Sequence, residues 1–82
     1  MRVLYFAWVR ERIGLASEEI DTNGAQTAGD LVALLVSRGS EYALAFENLA
    51  AIRVAIDQEM GDLESSITGA DEVAFFPPVT GG

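Results

Sequence analysis

The stretch TAGDLVALLVSRG, residues 27–39, carries the clearest helical pattern in the chain. Thr27 is a residue type that caps helix N-termini, and Asp30 is a short form of the capping-box acid three residues later. Apolar residues then recur at the spacing that places them on one helix face, namely Ala28, Leu31, Val32, Leu34 and Leu35. Arg38 and Gly39 suit a helix C-terminus, as a cation and a stop signal. The stretch therefore predicts one amphipathic helix whose apolar side covers another element.

Segments typical of β-strands lie on both sides of this helix. Residues 2–7 (RVLYFA) and 18–21 (EEID) precede it, and residues 52–56 (IRVAI) follow it with a clean alternation. Residues 57–63 predict a turn or short hairpin around Gly61-Asp62, with one short strand. Residues 71–76 (DEVAFF) form a last strand that must end at the next residue, a proline. This order predicts an α+β fold with one sheet face covered. A ubiquitin-like β-grasp satisfies it, with a mixed sheet packed on one main helix and a flexible C-terminal tail.

Two weaker helical segments are also expected. Residues 8–13 carry mixed charges before Gly14 and predict a short helical turn. Ser40 is predicted to cap a second helix, in which Tyr42, Leu44 and Phe46 fill the space beside the sheet. The expected organisation is a β-grasp domain over residues 1–76 and an extended tail over residues 77–82 that ends in Gly-Gly.

Composition excludes several classes of function. The 82 residues contain no cysteine or histidine, and all five basic residues are arginines. The usual nucleophile–base pairs cannot be assembled from such a chain, and neither a metal site nor a bound cofactor is predicted. The formal net charge of -8 disfavours binding to nucleic-acid phosphates and favours a partner with a basic surface.

Paired carboxylates remain as candidate acid–base groups. The pairs are Glu18-Glu19, Asp71-Glu72 and Asp57 with Glu59, each at a predicted strand end or turn, where acids are ordinarily solvated. No apolar run approaches the roughly 20 residues that span a bilayer, and no signal peptide is readable, so a cytoplasmic location is expected.

The final stretch, FFPPVTGG (residues 75–82), differs from an ordinary terminus. Pro77 and Pro78 fix two φ angles and favour a stiff, extended exit from the sheet. Gly81 and Gly82 remove every side chain near the terminal carboxylate. The six residues from Pro77 onward span about 20 Å when extended. The tail is thus predicted to enter a narrow channel of another protein and present its carboxylate there.

Alternation along the last strand predicts that one of its two phenylalanines faces away from the core. We assign Phe76 to that outward position and Phe75 to the core, with the alternative that both are core residues left open. An outward aromatic beside a docking tail belongs to an interface. Phe6, Arg10 and Met60 are predicted to contribute to the same partner surface.

Two segments carry a resemblance to a known family. The ending FFPPVTGG and the opening RVLYFAWVRERIG (residues 2–14) resemble the sulfur-carrier subunits of molybdopterin synthase. The resemblance implies that the terminal carboxylate is adenylated by an ATP-dependent, ubiquitin-activating-like enzyme and then converted to a thiocarboxylate with sulfur from a donor protein. The glycyl-adenylate and 1-thioglycine forms are thus covalent states of the chain's own terminus. The large synthase subunit would take up the tail, and two sulfurs delivered in successive rounds would convert cyclic pyranopterin monophosphate to molybdopterin.

The resemblance also assigns roles within the tail. Gly82 would be the site of activation and sulfur loading, and Gly81 would give steric clearance. A further set would aim and seat the tail in its partner, namely Pro77, Pro78, Val79 and Thr80.

Other functions remain open from the sequence. A sister sulfur carrier for thiamine thiazole or tRNA thiolation shares the fold and the Gly-Gly end. A β-grasp interaction module would bind through its sheet and carry an inert tail. A stand-alone hydrolase would have to use the paired acids, which is the weakest of these alternatives.

Overall fold

A computed structural model describes residues 1–78 of the chain, and residues 79–82 lie outside the described part. Its five strands form one mixed sheet in the order β2-β1-β5-β3-β4. The strands are β1 (Arg2–Tyr5), β2 (Ser17–Glu19), β3 (Arg53–Ile56), β4 (Glu59–Gly61) and β5 (Glu72–Phe76). β1 and β5 run parallel at the centre, and the other neighbours are antiparallel. The α+β fold with a mixed sheet is confirmed.

Helices cover one face of this sheet. They are α1 (Ala7–Ile13), α2 (Ala28–Val36) and α3 (Ser40–Ala45), with a 3-10 turn at Leu49–Ala51 before β3. α2 begins at the predicted capping box: Thr27 Oγ1 accepts from the Asp30 amide at 3.1 Å, and Asp30 Oδ2 accepts from the Thr27 amide at 3.2 Å. The local sequence therefore determines where the main helix starts.

Phe75 lies at the middle of the core and is fully buried. Its ring stacks on Tyr5 with centroids 6.5 Å apart and meets the edge of Phe46 at 5.1 Å. These aromatic contacts join the two central strands to the segment after α3. Around them lie the apolar residues of the helix-facing side of the sheet and of the helices, among them Val3, Val9, Leu31, Leu35, Ala45, Val54 and Val73.

Three expectations about the helices are wrong. α2 ends at Val36 with Ser37 as its C-cap, so Arg38 lies beyond the helix and instead pairs with Glu18 at 3.6 Å. Within α3, the one-turn spacing directs Tyr42 and Ala45 inward, and this leaves Leu44 48% exposed on the other side. Gly39 rather than Ser40 occupies the N-cap position of α3.

The short hairpin predicted over residues 57–63 is present, but its turn does not lie at Gly61-Asp62. The chain reverses at Asp57 and Gln58, whose φ angles are +49° and +71°, so that β3 and β4 are joined by a two-residue turn. Asp57 is held there because its Oδ1 accepts from the amides of Asp71 and Glu72, each at 2.9 Å. Gly61 lies inside β4, opposite Val54.

Within residues 1–78, none of the helices combines the length and hydropathy needed to cross a bilayer.

Candidate functional site

The sheet face opposite the helices carries an apolar row, and we call this side the open face. Strand register places Leu4 beside Ala74, Ala74 beside Ala55, and Ala55 beside Met60. Leu4 and Ala55 are half-buried, whereas Met60 is 67% exposed. Because successive residues of a strand point to opposite sides, all four face away from the core residues Val73 and Val54. Ala74, at the centre of the row, is 8% exposed. The row is apolar across four strands.

A second row crosses the open face where the tail begins. Phe76, the last residue of β5, lies directly opposite Arg53, the first residue of β3. Phe6 follows β1 in an extended conformation, donates its amide to the Phe75 carbonyl at 3.1 Å, and is 48% exposed. Pro77 and Pro78 come next and are half-buried. The chain therefore leaves the sheet from its central strand, beside an exposed aromatic surface.

A third row, at the opposite end of the sheet, is charged. Arg2 lies between Glu19 and Glu72 in the strand register. Asp57 and Asp71 lie at the same end, since the Asp57 carboxylate accepts hydrogen bonds at the start of β5. Along the strands, the open face is therefore acidic at one end and apolar in the middle. The end where the tail leaves is aromatic and contains one arginine.

The structure brings together three of the residues predicted for a partner surface. Phe6, Met60 and Phe76 share the open face, and Phe75 is buried behind it, as the strand alternation predicted. Arg10 is exposed on α1, one turn beyond Phe6, whose carbonyl accepts the Arg10 amide at 3.3 Å. It adjoins the aromatic row without lying on the sheet. Partner binding by these residues stays a prediction.

The predicted tail residues are only partly described. Pro77 and Pro78 are placed at the root of the tail, whereas Val79, Thr80, Gly81 and Gly82 lie outside the described residues.

Sequence reasoning missed four members of the apolar and aromatic rows, namely Leu4, Arg53, Ala55 and Ala74. The signal was present in the alternation of each strand, because these residues occupy the positions between the buried ones. Their gathering into rows depends on register, which is set by pairing between distant segments.

A polar network around Glu18 lies at the edge of the sheet formed by β2. The side chain of Glu18 is only 13% exposed. Its Oε2 accepts from the hydroxyl of Tyr5 at 2.9 Å and from that of Tyr42 at 2.6 Å. Burial and the adjacent Glu18 carboxylate raise the pKa of the Tyr5 phenol well above its usual range, and the same causes raise the pKa of Tyr42 to about 12. Both phenols therefore remain protonated donors at neutral pH. These hydrogen bonds join β2 to both β1 and α3.

Two of the other candidate acids also have structural contacts. Glu19 pairs with the Met1 ammonium at 3.6 Å, and Asp57 holds the start of β5. Within residues 1–78, no group of three acids is arranged to hold a metal ion. Asp57, Gln58, Asp71 and Glu72 line an open depression of about 480 Å³ at the end of the sheet away from the tail root. These contacts favour a structural role for the paired acids over an acid–base one.

Comparison with known proteins assigns the family. The model of the ThiS family matches residues 3–82, which is nearly the whole chain. The chain belongs to the ThiS family. Two curated relatives are each named as a molybdopterin synthase sulfur carrier subunit. The one from Haemophilus influenzae is 43% identical and the one from Escherichia coli 37% identical, each over 82 residues covering 100% of this chain and 99% of the relative.

A solved structure has the same fold as this chain. SAMP1 from Haloferax volcanii superposes with a TM-score of 0.74 at 30% identity, covering 100% of this chain and 98% of that one. The predicted β-grasp is thereby confirmed, and the resemblance, most specific in the terminal segments, is supported over the full length of this chain.

Proposed function

We propose that this chain is the sulfur-carrier subunit of a molybdopterin synthase. The observation that carries the proposal is the full-length 43% identity to a relative with that name. The family match alone leaves the sister carriers for thiamine thiazole and tRNA thiolation open. The names of the full-length relatives favour the synthase over those carriers and over an interaction module with an inert tail.

The reactive group in this proposal is the carboxylate of Gly82. One of its oxygens attacks the α-phosphorus of ATP in the adenylating enzyme, and pyrophosphate leaves. Sulfur at the oxidation level of sulfide, supplied by a donor protein, then attacks the acyl carbon of the glycyl-adenylate. A C–S bond forms, the C–O bond to AMP breaks, and the chain ends in a thiocarboxylate.

The loaded tail next delivers its sulfur in the large subunit. The thiocarboxylate sulfur forms a C–S bond to a side-chain carbon of the pterin precursor, and the C–O bond at that carbon breaks as its oxygen group leaves. Water then cleaves the acyl–sulfur bond to regenerate the Gly82 carboxylate. Two such rounds supply both sulfurs of the dithiolene. Because the carrier contributes the reacting atom itself, the chemistry requires no general base from its own side chains.

The described residues support this role by holding the root of the tail. β5 is flanked by a hydrogen-bonded strand on each side, and Phe75 is locked between the rings of Tyr5 and Phe46. The strand therefore gives the tail a fixed starting point and direction. Pro77 and Pro78 extend that direction, since their φ angles are restricted.

The open face is the proposed contact with the large subunit. Phe6, Phe76 and Met60 present apolar side chains at and beside the point where the tail leaves. Aromatic residues and methionine are enriched in interface cores. Docking through this face would place the tail at the partner's channel at the same time.

Intact mass spectrometry tests the carrier chemistry. The chain is incubated with the adenylating enzyme, ATP and the sulfur donor, and its mass should rise by the replacement of one oxygen with sulfur. Deleting Gly82 should abolish the rise and the subsequent formation of molybdopterin. Cofactor synthesis supported by the truncated chain would refute the proposal.

A further inference from the structure

Arg53 is the charged residue of the aromatic row from which the tail leaves. It lies opposite Phe76, so the two side chains start from the same side of neighbouring strands. Its guanidinium Nη1 lies near the carbonyls of Ala50 and Ile52, at 3.2 and 3.4 Å. These contacts use one nitrogen of the planar group and leave further N–H donors for a partner.

Two of the five arginines form side-chain ion pairs in the described part of the chain, and Arg53 is among the three that do not. Arg12 pairs with Glu47 at 4.0 Å, and Arg38 pairs with Glu18 at 3.6 Å. Among residues 1–78, no carboxylate comes within 4.0 Å of the Arg53 guanidinium. Arg53 is exposed, so its positive charge is presented to whatever docks on the open face.

The charges on the open face are unevenly distributed, and Arg53 lies at the end away from the acidic row. The far row contains Glu19 and Glu72 beside Arg2, the middle row is uncharged, and the row at the tail contains Arg53. The chain as a whole has a net charge of -8. A positive site beside the tail is therefore a local reversal of the general surface charge.

We propose that Arg53 pairs with a carboxylate of the large synthase subunit, at the mouth of the channel that takes up the tail. This inference rests on the proposed function, because it requires a partner that accepts the tail. It adds one contact to the open-face interface and assigns the chemistry of the group that meets it. It also refines the expectation of a basic partner surface, which applies to the acidic end of the chain.

The length of the tail limits the identity of the anion. The six residues from Pro77 to Gly82 span about 20 Å when extended, which is several times the reach of an arginine side chain. With the tail extended, ATP and the pterin precursor would meet the chain at Gly82, beyond the reach of Arg53. An anion that meets Arg53 must belong to the protein surface around the channel mouth.

Such a pair would act mainly on how the chain approaches its partner. Complementary charges at the edge of an interface steer the encounter and fix its register. The acidic row at one end of the open face and Arg53 at the other would favour the orientation that brings the tail to the channel and disfavour the reversed one.

Charge reversal at the two ends of the open face tests the proposal. Arg53→Glu and the matched control Arg2→Glu change the net charge equally and alter the same sheet face at opposite ends. Association and dissociation rates with the large subunit are measured at low and high salt, with circular dichroism as a check on folding. Arg53→Glu should slow association about tenfold at low salt, and salt should reduce this difference. Arg2→Glu should change the rate less than about twofold, since Arg2 lies in the acidic row.

A neutral variant and a reversed partner make the test independent of folding defects. Arg53→Gln should give an intermediate loss, and changing the partner's carboxylate to arginine should restore binding to Arg53→Glu. Equal effects of Arg53→Glu and Arg2→Glu, or a loss that salt does not alter, would overturn the inference while leaving the carrier function intact. If the unmodified chain itself fails to bind the large subunit, the proposed function fails, and this inference fails with it.

Discussion

Replacing Phe76 with alanine should weaken binding to the large subunit while leaving the domain folded. Phe76 ends β5 on the open face and is half-buried in the isolated chain. Its neighbour Phe75 points to the other side and is fully buried. Phe75→Ala is therefore a matched control, with the same chemical change one residue away on the opposite face of the same strand.

The two substitutions should differ clearly in their effect on stability. A buried Phe→Ala change costs about 3–5 kcal/mol. A domain of 82 residues is stabilised by roughly 4–12 kcal/mol in total, so Phe75→Ala should bring the chain close to unfolding. Phe76→Ala removes mainly cross-strand contacts with its neighbours and should cost below about 1 kcal/mol. If Phe76 is a central contact of the interface, its truncation should cost about 2 kcal/mol or more of binding, which is roughly 30-fold in Kd.

Urea unfolding followed by circular dichroism measures the stability of each variant, and calorimetric titration with the large subunit measures the Kd. The expected outcome is a near-normal unfolding midpoint with weakened binding for Phe76→Ala, and a large fall in the midpoint for Phe75→Ala. A Phe76→Ala chain that unfolds like Phe75→Ala would place Phe76 in the core. Normal stability together with normal binding would remove it from the interface.

Two further predictions follow from the pKa shifts of groups outside the tail. The amides of Gln26 and Thr27 donate to Asp30 and lower the pKa of its carboxyl from the usual 3.8. The Asp30 carboxylate therefore stabilises the fold above that pH, and this stabilisation is lost as the pH falls through the lower folded-state pKa. Asp30→Asn should therefore show a smaller loss of stability between neutral and strongly acidic pH in urea unfolding; an unchanged pH profile would contradict the capping role. Burial and Glu18 raise the pKa of Tyr42 to about 12, and the Tyr5 pKa is raised as well, so the native chain should show little phenolate absorbance at pH 10, where the urea-unfolded chain is about half ionised. Because the folded-state pKa values are the higher ones, stability should be retained below pH 10 and decline above it; native tyrosines titrating near pH 10 would contradict the buried network.

Features determined by neighbouring residues could be predicted from the sequence. The capping box at Thr27 depends on residues within one helical turn, and the opposite orientations of Phe75 and Phe76 follow from strand alternation. The hairpin turn could not be located in this way. Gly61-Asp62 has the residue types of a turn, yet the reversal occurs at Asp57 and Gln58, whose positive φ angles accompany hydrogen bonds from Asp57 to the start of β5.

In the candidate site, too, some features depend on neighbouring residues and others on pairing between distant segments. Phe76 and the tail motif could be recognised from local sequence, whereas the apolar row through Leu4, Ala74 and Ala55 required the strand register. Arg53 appears in the sequence as an ordinary polar position of an alternating strand. Its significance comes from its place opposite Phe76, which is a consequence of pairing between segments more than 20 residues apart.

The position of β5 at the centre of the sheet also has a consequence for the order of folding. β1 pairs with β2 and β3 pairs with β4, but the two halves of the sheet are joined only through β5, which follows the other four described strands in the chain. The nascent chain therefore cannot close its sheet until residues 72–76 have left the ribosome. Bringing β1 to β5 also requires closure of a loop that contains most of the chain, which slows folding relative to a protein with local contacts. Since β5 also carries the root of the tail, the tail acquires its fixed starting point only when the two halves of the sheet have joined.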